Sequence, residues 1–354
     1  MNNFYRFVLA IAIASLALVA GKKALVHQDT GKSPVYFFNW GDYVDPDLIK
    51  EFEEETGYEV IYESFDSNEA MIAKVMGGAT PYDLVVPSEY TVEIMRDKGL
   101  LRPLDKNRLE GLDNIDPKFL DRSFDPGNKY SIPYFWGTLG IVYNSKYYKE
   151  EDFSSWKKLW DPKFEDQILL YDGAREVMGL GLLAKGYSLN TKDPKILKEV
   201  QKDLFPLMDR AQAILADEIK MYLALEESNV GFTFSGEAMV AMEDNEDLAY
   251  TIPREGSNIW FDNLVIPSTC QNEEGAYALM NFFLRPDVAA RNADYIGYSS
   301  PNQGALDLMD EEVKNDPTLY PSDEIIEKLE VFEDLGQETT ILYNDLFLES
   351  KIGK

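Results

Sequence analysis

The sequence predicts an α/β protein in which strands alternate with helices and pair into mostly parallel sheets. The 354-residue chain is 45% hydrophobic and 27% charged, which is typical of a globular protein and not of a disordered one. Its length favours two domains, because single hydrophobic cores rarely extend through a chain of this size. The first third repeats a strand-then-helix pattern, and this spacing indicates βαβ units.

Each element of the first third carries its own local signals. Asp45 is a helix N-cap, Pro46 suits the first helical position, and Gly57 ends the helix. The segments assigned to strands are rich in β-branched and aromatic residues. We predict strands over residues 34–38, 58–65 and 82–88, and helices over residues 45–57, 68–76 and 90–98.

Two later segments predict crossings between domains. Residues 124–144 form a long extended stretch interrupted by proline and glycine, and residues 259–267 form another. Residues 145–260 between them carry helices and short strands. Two crossings predict a hinge and a cleft between two lobes.

The N-terminus predicts export. Arg6 precedes an uncharged, largely apolar run over residues 7–21, which is short for a spanning helix and typical of a secretory signal. We therefore assign residues 1–21 to a signal or anchor segment and residues 22–33 to a polar tether. Cleavage after Gly21 and retention as an anchor both remain open.

Charge and residue counts exclude several function classes. The formal net charge of −29 argues against nucleic-acid binding, because phosphate neutralisation needs clusters of Lys and Arg. Cys270 and His27 are the only cysteine and histidine. No disulfide within the chain, Cys/His zinc site or Ser-His-Asp triad can therefore form. We predict neither a metal nor a cofactor.

Aromatic and acidic residues follow two of the predicted strands. Trp40, Asp42 and Tyr43 come directly after the first strand, and Tyr90 follows the third. Ligands in open α/β sheets bind outside the carboxyl ends of the strands. Both loops emerge at that end, so the sequence predicts a binding site there.

The second half of the chain offers similar residues. Asp172 and Glu176 open a predicted helix at i,i+4 spacing, which also suits acids that simply satisfy the free N–H groups of a first helical turn. Trp260 and Asp262 share one face of an extended segment, although a core Trp beside an exposed Asp would give the same pattern. Aromatic faces attract cations, and a buried ammonium needs a carboxylate. Together these residues suit a slender aliphatic chain that carries amines.

Seven segments resemble the spermidine/putrescine-binding proteins of bacterial ABC importers. The resemblance spans residues 35–350 and follows the family order through NWGDYVDPDLIKEFEEETG, YDLVVPSEY, FDPGNKYSIPYFWGTLGI, DGAREVMGLGLLAKGYSLNTKDP, WFDNLVIP, NFFLRPDVAA and IGYSSPN. It implies a two-lobed periplasmic-binding-protein fold with a polyamine in the cleft. The expected lobes are residues 34–138 plus 261–306 and residues 139–260 plus 307–354.

The resemblance also implies which side chains line the cleft. From the first lobe these are Trp40, Asp42, Tyr43, Ser88 and Tyr90. The cleft is completed by Asp172, Glu176, Phe234, Trp260, Asp262 and Tyr298, with Asp262 and Glu176 pairing amines. Two positions depart from the family pattern: many relatives have a second acid at Gly173 and a Trp at Phe234.

The expected function is that of an exported, monomeric solute-binding protein, not an enzyme. It captures spermidine or putrescine and delivers it to the membrane permease of an ABC importer, in the periplasm or at the outer face of the cytoplasmic membrane. One alternative is a glycoside hydrolase that uses Asp172 and Glu176, although such enzymes need carboxylates that flank the sugar. The other is a surface adhesion or scaffold protein.

Overall fold

The computed structural model describes residues 33–353. The predicted signal or anchor segment, His27 and nearly all of the predicted tether lie outside this range. Among the described residues, no helix combines the length and apolar character needed to cross a membrane.

Nine strands form the sheet within the described range. They are β1 (Pro34–Trp40), β2 (Glu59–Phe65), β3 (Leu84–Val85), β4 (Ser131–Asn144), β5 (Ile168–Tyr171), β6 (Ala213–Leu215), β7 (Val230–Phe234), β8 (Leu248–Thr251) and β9 (Ile259–Val265).

Thirteen α-helices lie within the described range. They are α1 (Pro46–Thr56), α2 (Asn68–Gly77), α3 (Glu89–Asp97), α4 (Ala174–Lys185), α5 (Pro194–Arg210), α6 (Ile219–Ala224), α7 (Ser235–Asp244), α8 (Glu273–Leu284), α9 (Pro286–Ile296), α10 (Gln303–Leu306), α11 (Glu311–Lys314), α12 (Asp323–Ile326) and α13 (Gln337–Ile352). Short 3₁₀ helices span Lys106–Arg108, Leu112–Asn114, Pro117–Phe119, Glu150–Phe153, Trp156–Trp160 and Pro162–Phe164.

The predicted strand-helix alternation of the first third is confirmed, and local chemistry explains it. The Asp45 side chain accepts a hydrogen bond from the Asp47 N–H at the start of α1, and Gly57 ends that helix with a φ of 75°. Ser67 caps α2 by accepting from the Ala70 N–H. These caps satisfy backbone groups that a helix end leaves without partners.

The strand order is β2-β1-β3-β9-β4-β7-β5-β6, with β8 paired to β4. We call the part built on β2, β1, β3 and β9 the first half, and the part built on β7, β5, β6 and β8 the second half. In each half two pairings are parallel, β1 with β2 and β3, and β5 with β6 and β7. The strands β4 and β9 add the antiparallel pairings.

Strand β4 joins the two halves. Residues from Ser131 to Thr138 pair with β9, whereas residues from Leu139 onward pair with β7 and β8. All of its residues are buried. The pairing partners of β4 therefore change after Thr138, which is the position of the predicted lobe boundary.

We propose a later position for the final crossing than the one predicted from the sequence. Ile326, Leu329 and Val331 pack in a core cluster with first-half residues such as Phe38, whereas Phe332 packs in the core of the second half. The predicted lobes assign all of residues 307–354 to the second lobe. We propose that residues 307–331 belong with the first half, because Ile326, Leu329 and Val331 are buried in its core cluster.

Candidate functional site

A cleft of about 850 Å³ lies between the two halves. Ten of the eleven site residues predicted from the sequence line it: Trp40, Tyr43, Ser88, Tyr90, Asp172, Glu176, Phe234, Trp260, Asp262 and Tyr298. Their role in ligand binding stays a prediction, but the fold brings them around one cavity.

Asp42 is the predicted site residue that does not line this cleft. It lies in the turn after β1 with a φ of 49°, and its side chain is exposed. The turn directs its neighbours Gly41 and Tyr43 to the cleft and leaves Asp42 at the surface. The sequence alone could not show which of these three neighbouring residues line the cleft.

The first-half residues reach the cleft because parallel strands end at the same edge of the sheet. Trp40 is the last residue of β1, and Tyr43 follows in the next turn. Ser88 and Tyr90 lie at the start of α3, just after β3. The two loops thus converge, as expected for the ligand-binding edge of an α/β sheet.

Asp262 is the most tightly held carboxylate of the cleft. Its Oδ2 accepts a hydrogen bond from the Tyr43 hydroxyl at 2.7 Å, and its Oδ1 accepts one from the Ser88 hydroxyl at 2.8 Å. The side chain is 7% exposed, and it forms no ion pair with any Lys or Arg among residues 33–353. A buried carboxylate without a protein cation is costly, so Asp262 can gain from pairing with a cation from outside the chain.

Asn68 extends this hydrogen-bond network. Its Nδ2 donates to the hydroxyl oxygens of Ser88 at 3.1 Å and Tyr90 at 3.0 Å, and its Oδ1 accepts from the Ser88 N–H at 3.2 Å. The Ser88 hydroxyl therefore has its proton directed toward Asp262. The network fixes the orientation of the carboxylate before any ligand arrives.

Burial changes the protonation of two neighbouring acids. It raises the pKa of Asp262 to about 6, although the hydrogen bonds from Tyr43 and Ser88 oppose the rise. Glu89, which is 1% exposed, has its pKa raised to about 8 by burial, against the hydrogen bond that its Oε2 accepts from the Phe261 N–H. At neutral pH, Asp262 is therefore largely charged and Glu89 is largely neutral.

A chain of five aromatic rings lines one side of the cleft and connects the halves. The rings meet edge to face, with centroids separated by 5.7 Å for Tyr43 and Tyr298, 5.3 Å for Tyr298 and Trp260, 6.3 Å for Trp260 and Phe234, and 5.0 Å for Phe234 and Tyr171. Such pairs stabilise one another beyond their buried area. Their faces can cover methylene groups and attract ammonium groups.

Glycines make room for this wall. A Cβ on Gly137 would lie 2.5 Å from the Trp260 ring, and a Cβ on Gly236 would lie 1.5 Å from the Tyr298 ring. Gly137 precedes the crossing in β4, whereas Gly236 lies in α7 of the second half. Tyr298 belongs to the first half, so its contact with Gly236 brings the two halves together across the cleft.

The second half contributes acids at the start of α4. Asp172 forms an ion pair with Lys351, with 2.7 Å between Oδ2 and Nζ. Glu176 has its pKa raised by burial, opposed by the nearby Arg175. A Cβ on Gly173 would lie 2.0 Å from Glu176 Oε2. The Glu176 carboxylate therefore fills the space that a side chain at position 173 would need.

Several cleft residues were not predicted from the sequence. They include Phe65, Asp66, Ser67, Asn68, Glu69, Glu89, Tyr171, Asp217, Glu237, Asn258 and Phe332. Glu89 and Glu237 carry the same strand-end signal as the predicted residues, since each lies just after a strand. Asn258 and Phe332 have no such signal, because tertiary packing alone brings them to the cleft.

The positions of the acids bear on metal binding and on hydrolysis. Among residues 33–353, no group of three or more His, Cys, Asp or Glu side chains could hold a metal ion. Asp172 is already paired with Lys351, and it lies just before Gly173, the N-cap of the helix that carries Glu176. Paired acids in a hydrolase must flank the substrate from two sides.

Comparisons with known proteins agree on the class of protein. Residues 47–321 match the family model described as bacterial extracellular solute-binding protein. The chain is 41% identical over 357 residues to the spermidine/putrescine-binding periplasmic protein of Salmonella typhimurium, with both chains covered in full. It is 30% identical over 372 residues to a putrescine-binding periplasmic protein of Pseudomonas aeruginosa, again with full coverage.

Solved structures show the same fold. The spermidine/putrescine ABC transporter substrate-binding protein PotD of Streptococcus pneumoniae superposes with a TM-score of 0.84 at 51% identity, covering 91% of this chain and 99% of that one. A putative spermidine/putrescine ABC transporter protein of Listeria monocytogenes gives a TM-score of 0.83 at 48% identity, covering 91% and 100%. The predicted periplasmic-binding-protein architecture is thus confirmed.

Proposed function

Because this chain belongs to the bacterial extracellular solute-binding protein family, we propose that it binds a polyamine in the cleft between its halves. Spermidine and putrescine are the ligand class, and an ABC importer receives the bound molecule. The relatives named for these ligands cover the whole chain, and the chemistry of the cleft suits the same ligands. We further propose that the protein is exported, acts as a monomer, delivers its ligand to a membrane permease and does not catalyse a reaction.

The observation that carries this proposal is the environment of Asp262. Its carboxylate is buried, held by Tyr43 and Ser88, and without a cationic partner among the described residues. Trp40 and Trp260 lie beside it in the cleft lining. A ligand ammonium would pair with Asp262 while the aromatic rings cover its methylene groups.

Isothermal titration calorimetry with spermidine and putrescine tests the proposal. We expect saturable binding by the ligand-free protein, and a higher melting temperature with ligand, because binding to the folded state alone stabilises it. Linear monoamines such as heptylamine are the matched control ligands, since they keep a methylene chain and carry a single ammonium group. Absence of binding heat for both polyamines would reject the proposal. Turnover of a glycoside that Glu176→Gln abolishes would favour a hydrolase instead.

Polyamine affinity is expected to fall as the pH drops through about 6. Only the ionised Asp262 pairs with an ammonium, and burial raises its pKa from 3.8 to about 6 in the ligand-free protein. Once Asp262 is mostly protonated, affinity should fall by up to about tenfold for each further pH unit. Calorimetry at pH values between about 5 and 8 measures this change.

The stability of the ligand-free protein should depend on pH in the opposite direction to the polyamine affinity. The folded state holds the Asp262 proton more tightly than the unfolded chain does, so Asp262 contributes stability at low pH that is lost as the pH rises from 3.8 through about 6. The stabilisation conferred by added polyamine should therefore shrink as the pH falls. A polyamine affinity that stays constant between about pH 7 and pH 5 would contradict this assignment.

A further inference from the structure

The carboxylates of the two halves differ in whether the protein already supplies them with a cation. From the first half, the cleft is lined by Asp66, Glu69, Glu89 and Asp262. None of these four forms an ion pair with a lysine or arginine within residues 33–353. From the second half, the cleft is lined by Asp172, Glu176, Asp217 and Glu237, and two of these four are paired with a lysine.

The first of these pairs joins Lys220 and Glu237. Lys220 lies in α6 and Glu237 in the first turn of α7, with 2.7 Å between Nζ and Oε2. The side chain of Glu237 is 14% exposed and that of Lys220 is 31% exposed, so water screens the pair only in part. The other oxygen of Glu237 lies 3.5 Å from the Tyr298 hydroxyl of the first half. Glu237 is therefore a cleft carboxylate at the contact between the halves.

The second pair joins Lys351 and Asp172. Lys351 belongs to the C-terminal helix α13, and its Nζ lies 2.7 Å from Asp172 Oδ2 at the start of α4. Both side chains are more exposed than those of the first pair, so solvent screens their interaction more strongly. The next residue is Gly173, which adds no carboxylate. Asp172 and Glu176 are therefore the acids at this end of α4, and Lys351 pairs with Asp172.

A lysine side chain ends in a primary ammonium, the same chemical group that ends a polyamine. Lys220 and Lys351 therefore occupy cleft carboxylates that could otherwise pair with ligand ammonium groups. We propose that these two lysines are specificity-determining residues, which lower the number of free negative charges in the second half and so limit the preference for more highly charged polyamines. This inference rests on the proposed polyamine-binding function.

Replacing each lysine by methionine tests the inference, because methionine keeps most of the aliphatic stem and removes the charge. We expect Lys220→Met to raise the affinity for the triamine spermidine about fivefold and for the diamine putrescine less than about twofold, since the added attraction scales with ligand charge. Lys351→Met should act in the same direction with a smaller change. The ratio of the two affinities, measured by calorimetry at one ionic strength, is the readout.

Two further variants serve as controls. Lys220→Arg keeps the positive charge and should leave the affinity ratio at its wild-type value. Lys50→Met removes a lysine that pairs with Asp47 at 2.7 Å on the exposed face of α1, away from the cleft lining. It changes the net charge equally, so it should leave the ratio unaltered. Melting temperatures of all variants show whether each one folds.

The outcomes separate the inference from the proposed function. If the wild type binds polyamines and both methionine variants keep the wild-type affinity ratio, the inference is overturned and the proposed function stands. A change in ratio that Lys50→Met reproduces would also overturn it, because the effect would then come from net charge. If the wild type binds no polyamine, the proposed function fails and the inference fails with it.

Discussion

Replacing Asp262 by asparagine is expected to weaken polyamine binding by about 30-fold or more. Removing one partner of a buried, hydrogen-bonded charge pair costs about 2 kcal/mol or more, and about 1.4 kcal/mol corresponds to a factor of ten in Kd. Asparagine keeps the shape of the side chain and one acceptor for Tyr43 or Ser88. The loss therefore reports the missing charge and not a cavity.

The same substitution should stabilise the ligand-free protein. Burial raises the pKa of Asp262 to about 6, which means that the fold disfavours its ionised form. At neutral pH the neutral asparagine removes this penalty, and the free energy of unfolding should rise by about 1 kcal/mol. Opposite effects on binding and stability would identify Asp262 as a residue kept for function.

Asp42→Asn provides the matched control. Asp42 is exposed, has a positive φ that asparagine tolerates well, and does not line the cleft. Its substitution should change the Kd by less than about twofold, because solvent screens an exposed charge. If Asp262→Asn binds polyamines as tightly as the wild type, Asp262 does not belong to the site.

Replacing Gly236 by alanine is expected to weaken binding by about tenfold or more with little change in the stability of the ligand-free protein. A Cβ at this position would lie 1.5 Å from the Tyr298 ring, so the ring or α7 must move. Overpacking of this kind typically costs about 1–3 kcal/mol. Because Tyr298 and Gly236 belong to different halves, we expect separation of the halves in the ligand-free protein to relieve the strain.

Displacement of Tyr298 also disturbs the aromatic wall, since its ring contacts Tyr43 and Trp260 at centroid distances of 5.7 and 5.3 Å. Calorimetry gives the loss of affinity, and thermal denaturation without ligand shows whether the fold is intact. Gly77→Ala is the control, because a Cβ on Gly77 meets no atom within 4 Å.

A double-mutant cycle with Tyr298→Ala isolates the contact between the halves. If the clash with Tyr298 causes the loss, Gly236→Ala should have little further effect in the Tyr298→Ala protein. Equal losses in both backgrounds would show that the alanine acts elsewhere on α7.

The sequence predicted much of this molecule because its signals are local. The caps at Asp45 and Gly57 and the strand-helix alternation depend on neighbouring residues, and the structure has those elements. Trp40, Tyr43, Ser88 and Tyr90 follow strands, and parallel strands end at a common edge. The sequence alone therefore predicts that these positions lie near one another.

Other features could not be predicted, because they depend on contacts between distant parts of the chain. Asp172 and Lys351 are neighbours in space but separated by 179 positions in sequence. Asp42 carries the same strand-end signal as Tyr43, yet the turn leaves it at the surface. The proposed final crossing after Val331 rests on which core buries Val331 and which buries Phe332.

The sequence by itself determined the order of the elements, the kinds of side chain at the strand ends and, through its resemblance, the ligand class. The tertiary structure alone decided which carboxylates are buried, which have a lysine partner and which rings meet across the halves. The physical reason is that propensity and capping act over a few residues. Burial, pKa and ion pairing instead depend on everything that the fold packs around a group.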